Sequence, residues 1–285
     1  MADAYTPQQL KILQNIELNI LKDFIKICDE YNLDYFLVGG SAIGVVRHHG
    51  FIPWDDDIDV AMSRKDYDKF IEIAQKHYSD KYVVVNNDTH PNFPLMNTRW
   101  SLKGTLFVPE DFQYLKDKED LGIFLDIFCQ DNMPDDEEAY LKQGAKAWLW
   151  GKWLVLSGVK KPVLYMKGIK RLLMRIACYI GYYILKILHL KPRFFYKKAA
   201  RWMLKYQDVD TKRFGYMFDP KKYTSVLYKE DVFPTKLMPF EDIEVKVPKE
   251  VEKYLTRRFG DYMQLPPEND RHIHPPFILD FGDKQ

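Results

Sequence analysis

An α+β fold, α/β-like in its alternation, follows from three features of the 285-residue chain. Over the first half, short β-branched and aromatic runs alternate with amphipathic stretches, the pattern of one mixed β-sheet flanked by helices. From about residue 140 to 206 the alternation gives way to long helices rich in Trp, Tyr, Leu and Lys. After Phe214 short strand-like pieces return. These shifts divide the chain into a core at 1–138, a cationic, aromatic-rich helical insert at 139–213, and a C-terminal segment at 214–285 that comes back to the core. At 46% hydrophobic and 15% aromatic residues, the chain can bury a sizeable interior.

Thr6-Pro7-Gln8-Gln9 reads as an N-cap, a proline at the first helical position and a capping-box glutamine. Leu10, Leu13, Ile16, Ile20, Leu21, Phe24, Ile27 and Cys28 then recur at helical spacing, which predicts a long helix to about residue 31. Residues 35–38 form a short buried strand ending in a Gly39-Gly40-Ser41 turn, followed by a helix over 41–48. Residues 58–62 are the next strand, and Ser63 caps a helix through about residue 75. Residues 82–85, 96–100, 106–108 and 124–128 have strand composition. So do 225–228 and 243–247, ahead of a helix at 249–259 ended by Gly260. The stretch 265–276, with four prolines, reads as loop.

The formal net charge of +1 conceals a segregation. Residues 139–207 hold sixteen of the 42 Lys and Arg and none of the 41 Asp and Glu. A region that cationic suits contact with a polyanion or an anionic membrane surface. Within 163–190, Lys167, Lys170, Arg171, Arg175, Cys178, Tyr182, Lys186 and His189 track one narrow stripe and leave a broad apolar face. The uncharged run at 176–185 is too short for the roughly 20 residues of a membrane span. That leaves a helix packed on the core or one lying in a membrane interface. Cys28, Cys129 and Cys178 are far apart, odd in number and set in apolar runs, as expected of thiols in a reducing compartment. The first residues lack the basic and apolar regions of a secretory leader, so a cytoplasmic protein is expected, peripheral at the inner membrane face if the insert binds there.

The chemistry concentrates at residues 37–62. Asp57 and Asp59, two positions apart in an extended segment, present both carboxylates to one face while Ile58 and Val60 turn into the core. Paired hard oxygen ligands of this kind hold a divalent cation, and without a cation or a proton their repulsion is costly. Asp126, alone among large apolar residues in 124–128, calls for a partner. Gly39-Gly40-Ser41 leaves backbone amides open to a phosphate because no Cβ stands in the way. Three carboxylates and a phosphate cradle describe metal-assisted phosphoryl or nucleotidyl transfer.

Residues 39–59, GGSAIGVVRHHGFIPWDDDID, resemble the signature of the LicD family, relatives of fukutin and fukutin-related protein in the nucleotidyltransferase superfamily. The resemblance continues in Leu125-Asp126-Ile127-Phe128 and in 258–267, RFGDYMQLPP, and so covers most of the chain outside the insert. It implies a nucleotidyltransferase-fold core in which Asp57, Asp59 and Asp126 bind Mg²⁺, or alternatively Mn²⁺, and Gly40 and Ser41, beside Gly39, hold nucleotide phosphate. It also implies transfer of phosphocholine, or a related alcohol phosphate, from CDP-choline or another CDP-alcohol. The acceptor would be a hydroxyl of a glycan or lipid-linked glycan precursor of teichoic acid, lipopolysaccharide or capsule, with CMP leaving. Nucleic acid is not an expected partner. Asp126 is also the expected proton acceptor. Arg47 and Arg99 are candidate phosphate clamps, and Trp54, Arg271, His272 and His274 are candidates for substrate contact. The sequence departs from relatives at Gly40-Ser41 and Val45-Val46 within the first motif and at Cys129-Gln130-Asp131 after the third acid, neither of which touches the metal ligands. Two competing readings are an Asp-x-Asp nucleotide-sugar glycosyltransferase and a non-catalytic scaffold binding glycan or membrane.

Overall fold

The computed structural model describes residues 5–113, 115, 118–164, 166–268, 271, 273–274 and 276–284. Helix α1 (Pro7–Glu30) starts as its sequence dictates: the Thr6 side chain accepts from Gln9 N while the Gln9 side chain accepts from Thr6 N. Its buried stripe of Leu13, Ile20, Leu21, Phe24 and Ile27 lies almost wholly out of solvent, each side chain contributing roughly 1.5–3 kcal/mol of burial free energy. Strand β1 (Phe36–Leu37) leads into α2 (Gly39–His48). Here the structure corrects the sequence reading, since the glycine pair is no separate turn but the first turn of the helix. Gly39, at φ +62°, bends the chain directly from strand to helix.

Strand β2 (Asp59–Ser63), helix α3 (Arg64–His77) capped by Ser63, and strands β3 (Tyr82–Val85), β4 (Thr98–Leu102), β5 (Leu106–Pro109) and β6 (Phe124–Met133) complete the first half. The main sheet runs β1-β2-β6-β4-β3, with β2 and β6 parallel and the other pairs antiparallel. Strand β6 is twice the length expected. Its last residues pair with β7 (Arg213–Tyr216), which pairs in turn with β8 (Ser225–Tyr228), giving seven strands. The polar stretch Gln130-Asp131 is buried within it, and Arg64 grips Asp131 through Nε and Nη2 at 2.9 and 3.0 Å. A bidentate pair of this kind lets a carboxylate occupy a central strand.

Helices α4 (Glu137–Gly158), α5 (Gly168–Ile187) and α6 (Pro192–Met203) lie between β6 and β7. α4 packs along α6, and Leu154, Leu185 and Phe195 from the three helices share a small core with Met96 of the main body. Arg193 of α6 hydrogen-bonds the Asn87 carbonyl and pairs with Asp88 at 2.8 Å. After the short helix α7 (Lys229–Val232) comes the hairpin β9 (Lys236–Phe240) and β10 (Ile243–Val247), then α8 (Val251–Phe259), ended by Gly260 at φ +71°. Strand β11 (Pro276–Asp280) returns to pair with β5, beginning at the last residue of the stretch read as loop. Among the described residues no single helix is long and apolar enough to cross a membrane; α5 and α6 pass that test only as a pair, bent by 104°.

Candidate metal and phosphate site

The parallel pairing of β2 with β6 places Asp59 directly beside Asp126. Asp57 lies two residues before Asp59, in the extended segment whose Ile58 carbonyl accepts from Asp126 N at 3.0 Å. One carboxylate oxygen from each of the three acids lies within 4.8 Å of the others. The two carboxylates at alternate positions leading into β2 and the third from β6 thus meet.

The surroundings are strongly unfavourable to three bare carboxylates. Burial, joined by the field of Asp57, outweighs Arg99 and pushes the Asp126 carboxyl up to about 6. Burial also holds Asp59 well above the usual range, reinforced by Asp57, Asp126 and Asp55 and opposed by Arg258. Asp57 is raised as well, burial again leading, with His274 opposing it. A divalent cation among hard oxygen donors would relieve this repulsion, and the donor set fits Mg²⁺ or Mn²⁺.

The N-terminus of α2 abuts the cluster. A Cβ on Gly39 would stand 2.6 Å from Asp59 Oδ2, and one on Gly40 would stand 2.9 Å from Asp55 Oδ2. The Ser41 hydroxyl accepts from Asp59 N at 2.8 Å, and the Tyr254 hydroxyl accepts from Gly39 N at 3.0 Å. Val38 provides no side-chain cap, so the first turn of α2 offers main-chain donors and its positive dipole end beside the acids.

Arg99 stands opposite Asp126 on β4, its Nε 3.5 Å from Asp126 Oδ1 and its guanidinium 3.8 Å above the Phe124 ring. Its Nε and Nη1 are buried without a hydrogen-bond acceptor among the described residues, so donors remain for an anion. Asn97 Nδ2 donates to Asp126 Oδ1 at 2.7 Å and fixes that carboxylate's orientation. Arg47 is placed differently. At the far end of α2, it donates to the Tyr262 carbonyl at 2.7 Å and to His48 Nε2 at 2.9 Å, tying down the segment after α8.

The tail closes on the acids from the other side. His274 N donates to Asp56 Oδ2 at 2.7 Å, and His274 Nδ1 is 3.1 Å from Asp56 Oδ1 and 3.4 Å from Asp57 Oδ2. Burial would lower this imidazole, but the Asp56 hydrogen bond and the fields of Asp57, Asp56 and Asp59 outweigh it and raise its pKa. Asp56, fully buried, also accepts from the Tyr5 hydroxyl at 2.7 Å. Arg271 lies 4.1 Å over the Trp54 ring, so these two candidates occupy each other beside the site. His272 lies outside the described residues.

Three participants are absent from the candidate residues, although Arg258 opens the 258–267 motif. Glu17 of α1 is 1% exposed, its Oε2 has no hydrogen-bond partner among the described residues, and burial plus the fields of Asp57, Asp56, Asp55 and Asp126 hold it well above its ordinary pKa. The signal was its place on the apolar face of α1, four residues after Leu13 and three before Ile20. Arg258 and Asp219 line a cleft with Asp59, Gly39, Tyr216 and Tyr254. Arg258 donates to Ser225 Oγ and Tyr254 Oη and is 3.6 Å from Asp219 Oδ1. Asp219 lies in an unremarkable loop sequence, and only the pairing of β7 with β8 brings it here.

Residues 32–137 match the family model described as LicD/FKTN/FKRP, nucleotidyltransferase domain. Over 295 aligned positions the chain is 29% identical to the lipopolysaccharide cholinephosphotransferase LicD of Haemophilus influenzae, covering 95% of this chain and 98% of that protein. A shorter match of 68 positions, 31% identical, relates 24% of this chain to 22% of an uncharacterized protein of Rickettsia typhi.

Proposed function

Because the chain belongs to the LicD family, with its nucleotidyltransferase domain at residues 32–137, we propose that it is a Mg²⁺-dependent phosphotransferase. It moves phosphocholine, or a related alcohol phosphate, from a CDP-linked donor to a hydroxyl of a cell-surface glycan precursor and releases CMP. Lipopolysaccharide is the acceptor named for the Haemophilus influenzae relative; teichoic acid and capsule offer the same hydroxyl chemistry. The reaction is assigned to the cytoplasmic side, at the inner face of the membrane.

The single observation that carries this reading is the register of β2 against β6, which gathers Asp57, Asp59 and Asp126 within 4.8 Å of one another. These three would hold the metal, which when bound supplies charge neutralisation for the diphosphate and for the oxygens that enter and leave. The chain's own residues do the rest. The first-turn amides of α2 receive a donor phosphate oxygen, with Gly39 and Gly40 leaving room for its approach. Arg99, with unspent donors and a fixed position on Phe124, clamps phosphate as charge develops. Asp126 is also assigned to accept the acceptor's hydroxyl proton. Asn97 keeps it oriented for that transfer. Trp54 and Arg271, stacked on each other, remain candidates for substrate contact, and His274 keeps the Asp57 side of the cluster in place.

The test is CMP release from CDP-choline with Mg²⁺ and a glycan acceptor, run on the wild type and Asp59→Ala, then on a panel of other CDP-alcohols. The reading expects release from at least one donor, dependent on divalent cation and lost in the variant. Absence of release from every CDP-linked donor, with Mg²⁺ and with Mn²⁺, would overturn it.

A further inference from the structure

Helix α5 wears its apolar face outwards. Ile169, Leu173, Ile176, Ile180, Ile184 and Ile187 recur at helical spacing along one side and are between 48% and 74% exposed. An amphipathic helix on a soluble body buries that face, yet α5 touches the protein along a different and narrower line. Leu185 enters the small core with Leu154 and Phe195, and Gly181 lies against Leu156. At 3.6 residues per turn, Leu185 and Gly181 face roughly 100–140° away from the isoleucine row. A continuous exposed row of this size marks an interaction surface.

The charges of the segment specify the occupant. Lys170 borders the row, and Arg171, Arg175 and Lys186 form the polar stripe on the far side of the helix. The surrounding segment, residues 139–207, contains no Asp or Glu. A second copy of the chain packed on this face would bring up a segment equally cationic, with no acid to pair either one. An anionic lipid surface answers both features: isoleucines enter the acyl boundary while the long Lys and Arg side chains of the polar stripe reach round to phosphate-bearing headgroups. At 20 residues the helix is about 30 Å long, and its apolar row and cationic stripe suit it to lie flat in the interface.

We propose that α5 is an in-plane membrane anchor that docks the protein on an anionic bilayer surface through the Ile169–Ile187 face. It gives the inner-membrane location assigned above a specific surface, but its test is independent of the transfer reaction. Full-length protein is floated with vesicles of phosphatidylcholine containing one third phosphatidylglycerol, and with vesicles of phosphatidylcholine alone. The wild type is expected to float with the anionic vesicles, and Ile176→Glu with Ile180→Glu to lower the partition at least tenfold. Both positions are solvent-exposed, so the fold is expected to survive, read by an unchanged melting temperature. A second variant, Arg171→Glu with Arg175→Glu, is expected to lose about tenfold on the anionic vesicles and to depend less steeply on added salt than the wild type. Failure of the wild type to float would overturn the proposal, as would undiminished flotation of both variants. So would light scattering that finds a stable dimer in lipid-free solution which the isoleucine variant dissociates. CMP release from CDP-choline by unanchored protein leaves the outcome on vesicles unaffected, so the two readings fail separately.

Discussion

Replacing Asp126 by Asn should strengthen the metal-free fold and abolish its response to magnesium. Asparagine keeps the shape and the oxygen that Asn97 Nδ2 donates to, and removes one negative charge from the cluster. The carboxyl is pushed from an ordinary value near 3.9 up to about 6, and its side chain is only 10% exposed. That distance corresponds to roughly 3 kcal/mol, already net of the opposing field of Arg99. The sign follows from proton uptake. Below about pH 4, folded and unfolded chains both carry a protonated Asp126, and the substitution gains nothing. Between about pH 4 and 6 the unfolded chain gives up its proton first, so folding takes one up and wild-type stability falls as pH rises. Above about pH 6 the full penalty stands. For a chain of this size, roughly 3 kcal/mol raises the melting temperature by about 6–12 °C. With Mg²⁺ at a hundredfold excess over its Kd the gap nearly closes, because the wild type gains about 2.7 kcal/mol that a site with two acids cannot recover. Melting curves of both proteins from pH 4 to 8, with EDTA and with MgCl₂, read all of this. If the two melt together at pH 7.5 in EDTA and respond equally to MgCl₂, the shared-ion assignment of Asp126 is wrong.

Three further perturbations read other parts of the site. Gly39→Ala places a Cβ 2.6 Å from Asp59 Oδ2 at a φ of +62°, so CMP release should fall on the order of 10²-fold with the fold intact by circular dichroism; near-normal turnover would show that Asp59 has freedom to move. Tyr5→Phe removes a donor from the fully buried Asp56, and the expected cost is about 1–3 kcal/mol in urea denaturation, so a midpoint unchanged from wild type would make that bond dispensable. Glu17 has its pKa raised by burial and by four nearby acids, so folding takes up a proton there as pH rises above about 4.3. Glu17→Gln should therefore gain on the wild type between pH 4 and 8 in thermal melts, and an equal difference at both ends would sink that account.

The parts of the molecule legible in the sequence were those whose cause is local. The Thr6 to Gln9 capping box, the Ser63 cap and the Gly260 stop are short-range hydrogen-bond and dihedral effects, and the helices begin and end where those residues put them. The three carboxylates were legible because period-two spacing fixes a face and a lone acid on an apolar strand needs a partner. What was missed depends on distant pairing. Strand β9 carries Pro239, tolerated because β9 has only one partner, β10. Strand β11 begins at Pro276 and exists because β5 receives it. The second half of β6 lies beyond the strand read at 124–128 and is polar, and Arg64 comes from α3 to neutralise its Asp131. Glu17 was hidden by the good amphipathicity of α1, in which one acid on the buried side reads as noise. The Arg47 guanidinium, a candidate for phosphate, is spent on the Tyr262 carbonyl 215 residues away, a partner no local pattern could reveal.

The clasp at Asp56 carries a consequence for biosynthesis. Tyr5 and His274, 269 residues apart, both hold the one buried carboxylate that sits beside Asp57. On the ribosome the three acids of the cluster emerge well before the histidine that braces them. A nascent chain therefore carries the cluster unbraced until His274 has emerged, and shorter ribosome-bound intermediates should be inactive even with every acid already synthesised.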